Sequence, residues 1–152
     1  MVPTPTAAPV ALATEALHAC LDGLLRAGVA ELDGTAQAAV LESVVRAESR
    51  LAAFRLELLA AADRSGTAER AGAASTGQWA ARIGRTDQAE TQRQVALATG
   101  LGRLTTTRAT LASGVLSPAH AAIIVKADQE LPTDLGPTNG FASSVPSWRR
   151  PR

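Results

Sequence analysis

A long helix with regularly spaced apolar residues is the feature that most constrains the fold of this 152-residue chain. Between about residues 36 and 64, apolar residues recur at alternating spacings of four and three, and we call this set the heptad row: Val40, Val44, Ala47, Leu51, Phe54, Leu58 and Ala61. That spacing puts the side chains along one stripe of an α-helix about 45 Å long. A second row lies beside it, formed by Leu41, Val45, Ala52, Leu56 and Leu59. Because the combined face is wider than a two-stranded coiled coil needs, we expect this helix to pack against several helices, from its own chain or from a second subunit. Three charged residues of this helix, Arg46, Arg50 and Glu57, are expected to stay in water.

The remainder of the chain also predicts helices. Apolar residues make up 46% of the sequence but aromatic residues only 3%, so the core must consist of Ala, Leu, Val and Ile. A first helix is expected from Thr14, with an inward stripe that includes Cys20. A further helix is expected at 104–113, with Leu111 inward, and the Ser117-Pro118 pair starts a last one. Its predicted inner face comprises Leu116, His120, Ile123, Ile124, Ala127 and Leu131. No strand pattern is present, and we predict an all-α bundle of five or six helices around the long helix.

The predicted domain organisation follows from these boundaries. Residues 1–13 contain three prolines and are expected to form a flexible arm. A helical domain is expected over 14–131. Residues 132–152 contain four prolines and no usable periodicity, which is typical of a disordered tail.

No residues with the pattern of a catalytic, metal or cofactor site were found. The single cysteine, Cys20, excludes an internal disulfide and a zinc site built from cysteine pairs. His18 and His120 are far apart in sequence and are interpreted as core or boundary residues. The N-terminus has no basic start before its apolar part, and no apolar run approaches the length of about 20 residues that a membrane span needs. We therefore expect a cytoplasmic protein that is not an enzyme, with no membrane partner and no small-molecule substrate.

Residues 75–101 have the layout of a helix-turn-helix. Ser75 or Thr76 starts a short helix, Gly84 is expected to supply a positive φ in the turn, and Thr86 caps the next helix, which runs to about Leu101. Ala80 is expected to let the two helices approach closely. Any helix pair joined at a glycine can show this spacing, so the motif leaves DNA binding and protein contact open.

The candidate DNA contacts lie on the second helix of this pair and beside it. Arg85, Gln88 and Gln92 are expected to share one face, where glutamine could pair with adenine and arginine with guanine or phosphate. Arg82 and Arg93 are candidates for phosphate contacts. Charge is unevenly distributed: residues 1–69 carry a net charge of −4 and residues 70–126 one of +5. A partner with phosphates would prefer the basic part. The neutral interpretation is a solvated helix face without a ligand.

Three blocks of the chain resemble an actinobacterial family. The blocks are RLAAFRLELLAAADRSG, AGAASTGQWAARIGRTDQAETQRQVALATGL and TTTRATLASGVLSPAHAAIIVKA, within residues 36–131. Their order is similar to that of the 13E12-repeat family, also known as domain-of-unknown-function family 222. The resemblance implies a helical module that commonly precedes an HNH endonuclease domain. That domain needs a His-Asn-His metal-binding core, which the residues after Pro132 do not resemble. The chain therefore resembles a member truncated before the nuclease, with a tail that is consistent with out-of-frame translation.

Two functions follow as expectations. The first is a non-catalytic helical module related to HNH-endonuclease-associated proteins, which binds duplex DNA through residues 75–101. The alternative is a helical protein-interaction or dimerisation module with no nucleic-acid role, a homodimer through the long helix being the simplest form.

Overall fold

The computed structural model describes residues 7–131, which contain seven α-helices and no β-strand, so the predicted all-α fold is confirmed. The helices are α1 (Ala7–Ala27), α2 (Gly34–Arg64), α3 (Thr67–Arg70), α4 (Thr76–Gly84), α5 (Gln88–Leu101), α6 (Thr105–Ala112) and α7 (Pro118–Glu130). The expected tail at 132–152, like residues 1–6 of the expected arm, lies outside the described residues. The chain divides into two compact units, residues 1–44 and 45–152, whereas the sequence predicts one domain over 14–131.

In the first unit, α1 starts earlier than the sequence predicts. It begins at Ala7, so residues 7–13 are helical and not part of a loose arm. Thr14 does not cap this helix; its hydroxyl donates to the carbonyl oxygen of Val10 at 2.9 Å, one turn back. Cys20 is exposed and is not the core residue that the apolar stripe predicts. The start of α2 is capped by Asp33, whose carboxylate accepts a hydrogen bond from the Ala36 amide at 2.8 Å.

The α1 helix also corrects the expectation about long apolar segments. Residues Ala8–Ala27 are long and apolar enough to cross a membrane, by length and composition alone. The segment is not an unbroken apolar run, because Glu15 and Asp22 interrupt it, and the sequence therefore did not predict it. Signal sequences and core helices of globular proteins meet the same criterion, so the finding assigns no location.

In the second unit, the core is built where α2, α5, α6 and α7 meet. The buried residues are small or medium-sized aliphatic ones: Ala53, Leu56, Leu59, Val95, Ala98, Leu101, Leu111, Ala121 and Val125. Leu111 is completely buried, as the sequence predicts for its inward position. The absence of aromatic residues from this cluster follows from the composition, and short side chains let the helices approach closely.

The buried face of α7 differs from the predicted one. Ala121 and Val125 face the core, while Ile123 and Ile124 are 64% and 39% exposed, and His120 is exposed as well. The reason is the close approach of α5, where a Cβ on Gly100 would collide with the Val125 side chain. An Ala–Val edge fits against this glycine, and the bulkier isoleucines are left on the outside.

The turn between α6 and α7 lies against the α2 backbone. Gly114, where the sequence predicts a helix break, has a φ of 79°, which L side chains rarely adopt. A Cβ at this position would lie 2.7 Å from the carbonyl oxygen of Arg46 in α2. This turn therefore fixes the side of α2 that faces the domain.

A short helix occupies the segment between α2 and α4, where the sequence predicts a loop over 65–74. The helix α3 buries Ala68, which is only 3% exposed. The start of α4 is tied to the end of α2 by Thr76, whose hydroxyl donates to the Asp63 carboxylate at 2.7 Å.

Candidate functional site

The turn between α4 and α5 has helix-turn-helix connectivity, with different residues in two of the predicted roles. Ser75 caps α4, as expected, by accepting a hydrogen bond from the Gln78 amide at 3.1 Å. The residue with positive φ is Arg85, at 51°, and Gly84 is the last residue of α4. The cap of α5 is Asp87 and not Thr86, because the Asp87 carboxylate accepts from the Glu90 amide at 2.8 Å. Both predicted roles moved by one residue toward the C-terminus.

Gly77 makes a close contact between α4 and α5, and Ala80, to which the sequence assigns that role, is half-buried against the core. A Cβ on Gly77 would lie 3.1 Å from the Cα of Gln92, and it would collide with the Gln92 side-chain oxygen. The same amide oxygen accepts from the Ser75 hydroxyl at 3.5 Å. Gln92 thus lies against the start of α4 and is already bonded there, although it remains exposed.

Three of the five candidate DNA contacts, Arg82, Gln92 and Arg93, are bonded to other residues of the chain. The Arg82 guanidinium donates to the Ala71 carbonyl oxygen at 3.2 Å, and Arg93 forms an ion pair with Glu90 at 2.6 Å. Arg85 lies in the turn and not on α5, so it does not continue the helical face of Gln88 and Gln92. Of the five, Arg85 and Gln88 are exposed and form no side-chain hydrogen bond or ion pair within residues 7–131.

The charge of this turn is partly neutralised from within. Hydrogen bonds from Arg93 and then from Gln94 lower the pKa of Glu90 below its ordinary value, so its carboxylate is ionised at neutral pH. The residues around the turn therefore comprise three arginines, Arg82, Arg85 and Arg93, and two carboxylates, Asp87 and Glu90. The local excess is a single positive charge, far less than the +5 of the surrounding segment indicates.

The second helix of the pair is embedded in the domain. The buried residues of α5 are Thr91, Val95, Ala98, Gly100 and Leu101, and the helix contacts α4, α6 and α7. Between these contacts, the outward strip of α5 presents Ala89 and Ala96. A recognition helix reads bases through polar side chains on its exposed face, and the exposed polar residues between these alanines, Gln92 and Arg93, are already bonded to Ser75 and Glu90.

The part of the heptad row of α2 that lies in the second unit is exposed. Leu51, Phe54 and Leu58 are 48%, 42% and 52% exposed, and Ala47 and Ala61 of the same row are exposed as well. The buried residues of α2 instead include Leu56 and Leu59 of the second row. Ser49 and Ala53, which belong to neither row, are buried as well. These buried positions lie on a different side of α2, and the row borders the edge of the core, where Phe54 and Leu58 lie near Leu101 and Leu111. The stripe with the most regular coiled-coil spacing is therefore exposed in the second unit and does not belong to its core.

A groove borders this row. It has a volume of about 470 Å³ and is lined by Phe54 and Leu58 of the row, by Leu101 and Leu111, and by Arg64 and Arg108 at its charged edge. The groove gives the flat helix face a depression beside Phe54, into which a side chain of a partner can reach.

Comparisons of the chain with known protein families, with curated proteins and with solved structures give no match. The resemblance to the 13E12-repeat family therefore stays a prediction that rests on the sequence blocks alone.

Neither histidine lies in the core, which is one of the two locations that the sequence predicts for them. His18 and His120 are both exposed, and the His120 Nδ1 lies 2.7 Å from the Ser117 hydroxyl, beside the cap of α7. Ser117 itself caps α7 as predicted. Within residues 7–131, no group of three His, Cys, Asp or Glu side chains is arranged to hold a metal ion.

Proposed function

We propose that this chain is a non-catalytic helical module that associates with a second copy of itself through the heptad row of α2. The observation that supports the proposal is the exposure of Leu51, Phe54 and Leu58, which lie outside the domain core. Burial of apolar surface on association stabilises the dimer by roughly 25 cal/mol per Å². A regular apolar stripe on an exposed helix is complementary to the same stripe on another copy, which is the usual basis of two-fold dimers.

The test is the mass of the full chain in solution, measured by light scattering at protein concentrations from roughly 1 to 200 μM. We expect the mass to rise from monomer to dimer with concentration. The double variant Leu51→Glu/Phe54→Glu should remain monomeric at all of them. Both side chains are substantially exposed in the single chain, so the variant should keep the helical circular dichroism of the original.

A matched control is available on α7. Ile123 is 64% exposed but does not belong to the heptad row, so Ile123→Glu should leave dimerisation unchanged. If the chain stays monomeric at the highest concentration, or if the control disrupts the dimer as strongly as the double variant, the proposal is wrong.

Duplex DNA binding remains a second proposal, supported by the exposed and unpaired side chains of Arg85 and Gln88 at the α4–α5 turn. Binding would be measured at two salt concentrations for the original chain and for Arg82→Ala, Arg85→Ala and Gln88→Ala. Phosphate-driven affinity falls with salt. Arg85→Ala should weaken it more than Arg82→Ala, because Arg82 is already bonded to Ala71. Absence of binding at low salt would exclude this function.

Membership of the 13E12-repeat family, and with it an association with an HNH endonuclease, is likewise a proposal. It is supported by the order of the three sequence blocks within residues 36–131. Reading the downstream DNA in all three frames tests it: an HNH-coding frame would support the relationship, and its absence would count against it.

A further inference from the structure

Charged residues border the heptad row of α2 on both sides. Glu48 and Arg55 lie along one flank, and Arg50 and Glu57 lie along the other. All four are exposed, and none forms an ion pair within 4 Å in the described part of the chain. The stem of Arg50 lies beside Gly114, and Arg55 lines a depression together with Glu90 and Arg93. On a helix that pairs with another helix, such flanking positions face the flanking residues of the partner and determine its orientation.

A parallel dimer would place like charges together. In a parallel, in-register pair, each flanking residue faces the opposite flank of the partner five positions later. Arg50 would then face the partner's Arg55, and this contact would occur twice. Glu57 would face the partner's Ala62, so no attractive pair would compensate.

One antiparallel register pairs each of these four charges with an opposite charge. When Leu51 packs against the partner's Phe54, Arg50 faces the partner's Glu57 and Glu48 faces the partner's Arg55. Two-fold symmetry repeats both contacts. Moving this register by one heptad in either direction brings identical charges together: Arg50 meets the partner's Arg50, or Glu57 meets the partner's Glu57.

The volumes of the apolar residues favour the same register. Leu51 faces the partner's Phe54, Ala47 faces the partner's Leu58, and Val44 faces the partner's Ala61. Large residues thus oppose small ones in two of these layers. The parallel arrangement would instead put Phe54 against Phe54 and Ala47 against Ala47, which alternates crowded layers with cavities.

We infer that two copies of this chain pair through antiparallel α2 helices, centred between Leu51 and Phe54 and oriented by Arg50–Glu57 and Glu48–Arg55 contacts. This inference rests on the proposed dimerisation and adds the orientation of the partner. The groove beside Phe54 and Leu58 is also lined by Glu57, so the partner's Arg50 would reach the carboxylate at the edge of that groove.

Charge reversal distinguishes the two orientations by the sign of its effect. In the antiparallel dimer, Arg50→Glu puts two like-charge contacts where two attractive ones were, and the dimer dissociation constant should rise about tenfold. In a parallel dimer, the same variant would replace Arg–Arg repulsion by Glu–Arg attraction, and the constant would fall. The double variant Arg50→Glu/Glu57→Arg should restore the original value only in the antiparallel case. Arg85→Glu, the same charge change at the α4–α5 turn, is the control and should have little effect.

A distance measurement gives an independent answer. With Cys20→Ser as background, a spin label on Arg64→Cys reports the separation of the two copies of that residue. Eleven and a half residues separate position 64 from the centre of the pair, so antiparallel helices put the labelled backbones about 35 Å apart along the helix axis. Parallel helices would put them about 10 Å apart. A short distance, or tighter association of Arg50→Glu, would overturn the antiparallel inference and leave the proposed dimerisation standing. A chain that remains monomeric would overturn both.

Discussion

Replacing Gly114 by alanine is expected to destabilise the second unit by about 2–4 kcal/mol. This glycine lies in the turn between α6 and α7, has a φ of 79°, and contacts the α2 backbone at Arg46. It thereby helps to hold the heptad row on the outside. The substitution adds one methyl group, and it meets two separate physical obstacles.

The magnitude follows from adding these two costs. A left-handed backbone costs an L-residue about 1–2 kcal/mol. The new Cβ would lie 2.7 Å from the Arg46 carbonyl oxygen and 2.5 Å from its Cγ, so α2 or the turn must move. Overpacking of this kind costs about 1–3 kcal/mol. The loss of backbone freedom in the unfolded chain returns about 0.4–1 kcal/mol.

Two other glycines separate the contributions. Gly72 has a φ of 69° but open space around its Cβ position, so Gly72→Ala carries the backbone cost alone and should lose about 0.5–1 kcal/mol. Gly84 ends α4 without a positive φ, and a Cβ there would meet Thr86 at an ordinary 3.4 Å. Gly84→Ala should therefore stabilise the protein, by about 0.5 kcal/mol.

Urea unfolding followed by circular dichroism measures the three free energies of unfolding. Protein concentration must be equal in all experiments, because dimerisation adds to the apparent stability. The expected order of stability is Gly84→Ala, then the original chain, then Gly72→Ala, then Gly114→Ala. If Gly114→Ala is no less stable than Gly72→Ala, this turn does not approach α2 closely. The turn would then not explain why the heptad row is exposed.

Three further predictions concern the core, the start of α4 and the Glu90–Arg93 ion pair. Leu111→Ala removes a completely buried side chain and should cost about 2–5 kcal/mol in a thermal or urea melt, whereas exposed Ile83→Ala should cost less than about 1 kcal/mol. Thr76→Val removes the hydroxyl that donates to Asp63 and should cost about 1–2 kcal/mol, while Thr76→Ser should keep most of the stability; equal losses would contradict the role of this hydrogen bond. Glu90 has a lowered pKa, so its stabilising contribution is present above the pKa of an unfolded glutamate and is lost as the pH falls through the lower folded value. The difference in melting temperature between the original chain and Glu90→Gln should accordingly shrink from pH 7 to pH 3, and more salt should reduce it at neutral pH; a difference independent of pH would refute the ion pair.

The sequence predicts the long helix well because its signals are local. Alternating apolar spacing identifies α2 to within two residues at its start, with its end at Arg64 as expected. Ser117 followed by Pro118 identifies the start of α7, and Ser75 that of α4, because these caps depend on side chains adjacent to the helix. For α5 the sequence predicts a cap one residue too early, because Thr86 and Asp87 can both accept the required hydrogen bond.

The sequence could not predict which side of each helix faces the core. On α2, two neighbouring apolar rows compete, and the core takes Leu56 and Leu59 instead of the more regular row. The buried side depends on glycines distant in sequence. Gly114 lets the α6–α7 turn approach α2, and Gly100 lets α7 approach α5. Glycine has no apolar side chain, so its role in close helix packing does not show in the spacing of apolar residues. The same bias led to the wrong inner face of α7, where Ala121 and Val125 are buried and larger isoleucines are not.

The two proposed surfaces are physically separable and would reinforce one another. The heptad row lies on α2, and the candidate phosphate contacts lie at the α4–α5 turn, so variants at Leu51 and at Arg85 test them independently. A turn with a single excess positive charge releases few counterions and would bind phosphates weakly on its own. Two copies held in one dimer raise the effective concentration of the second turn once the first has bound, without any new contact. DNA binding by this module, if it occurs, should therefore weaken when Leu51→Glu/Phe54→Glu abolishes the dimer, whereas dimerisation should survive Arg85→Ala.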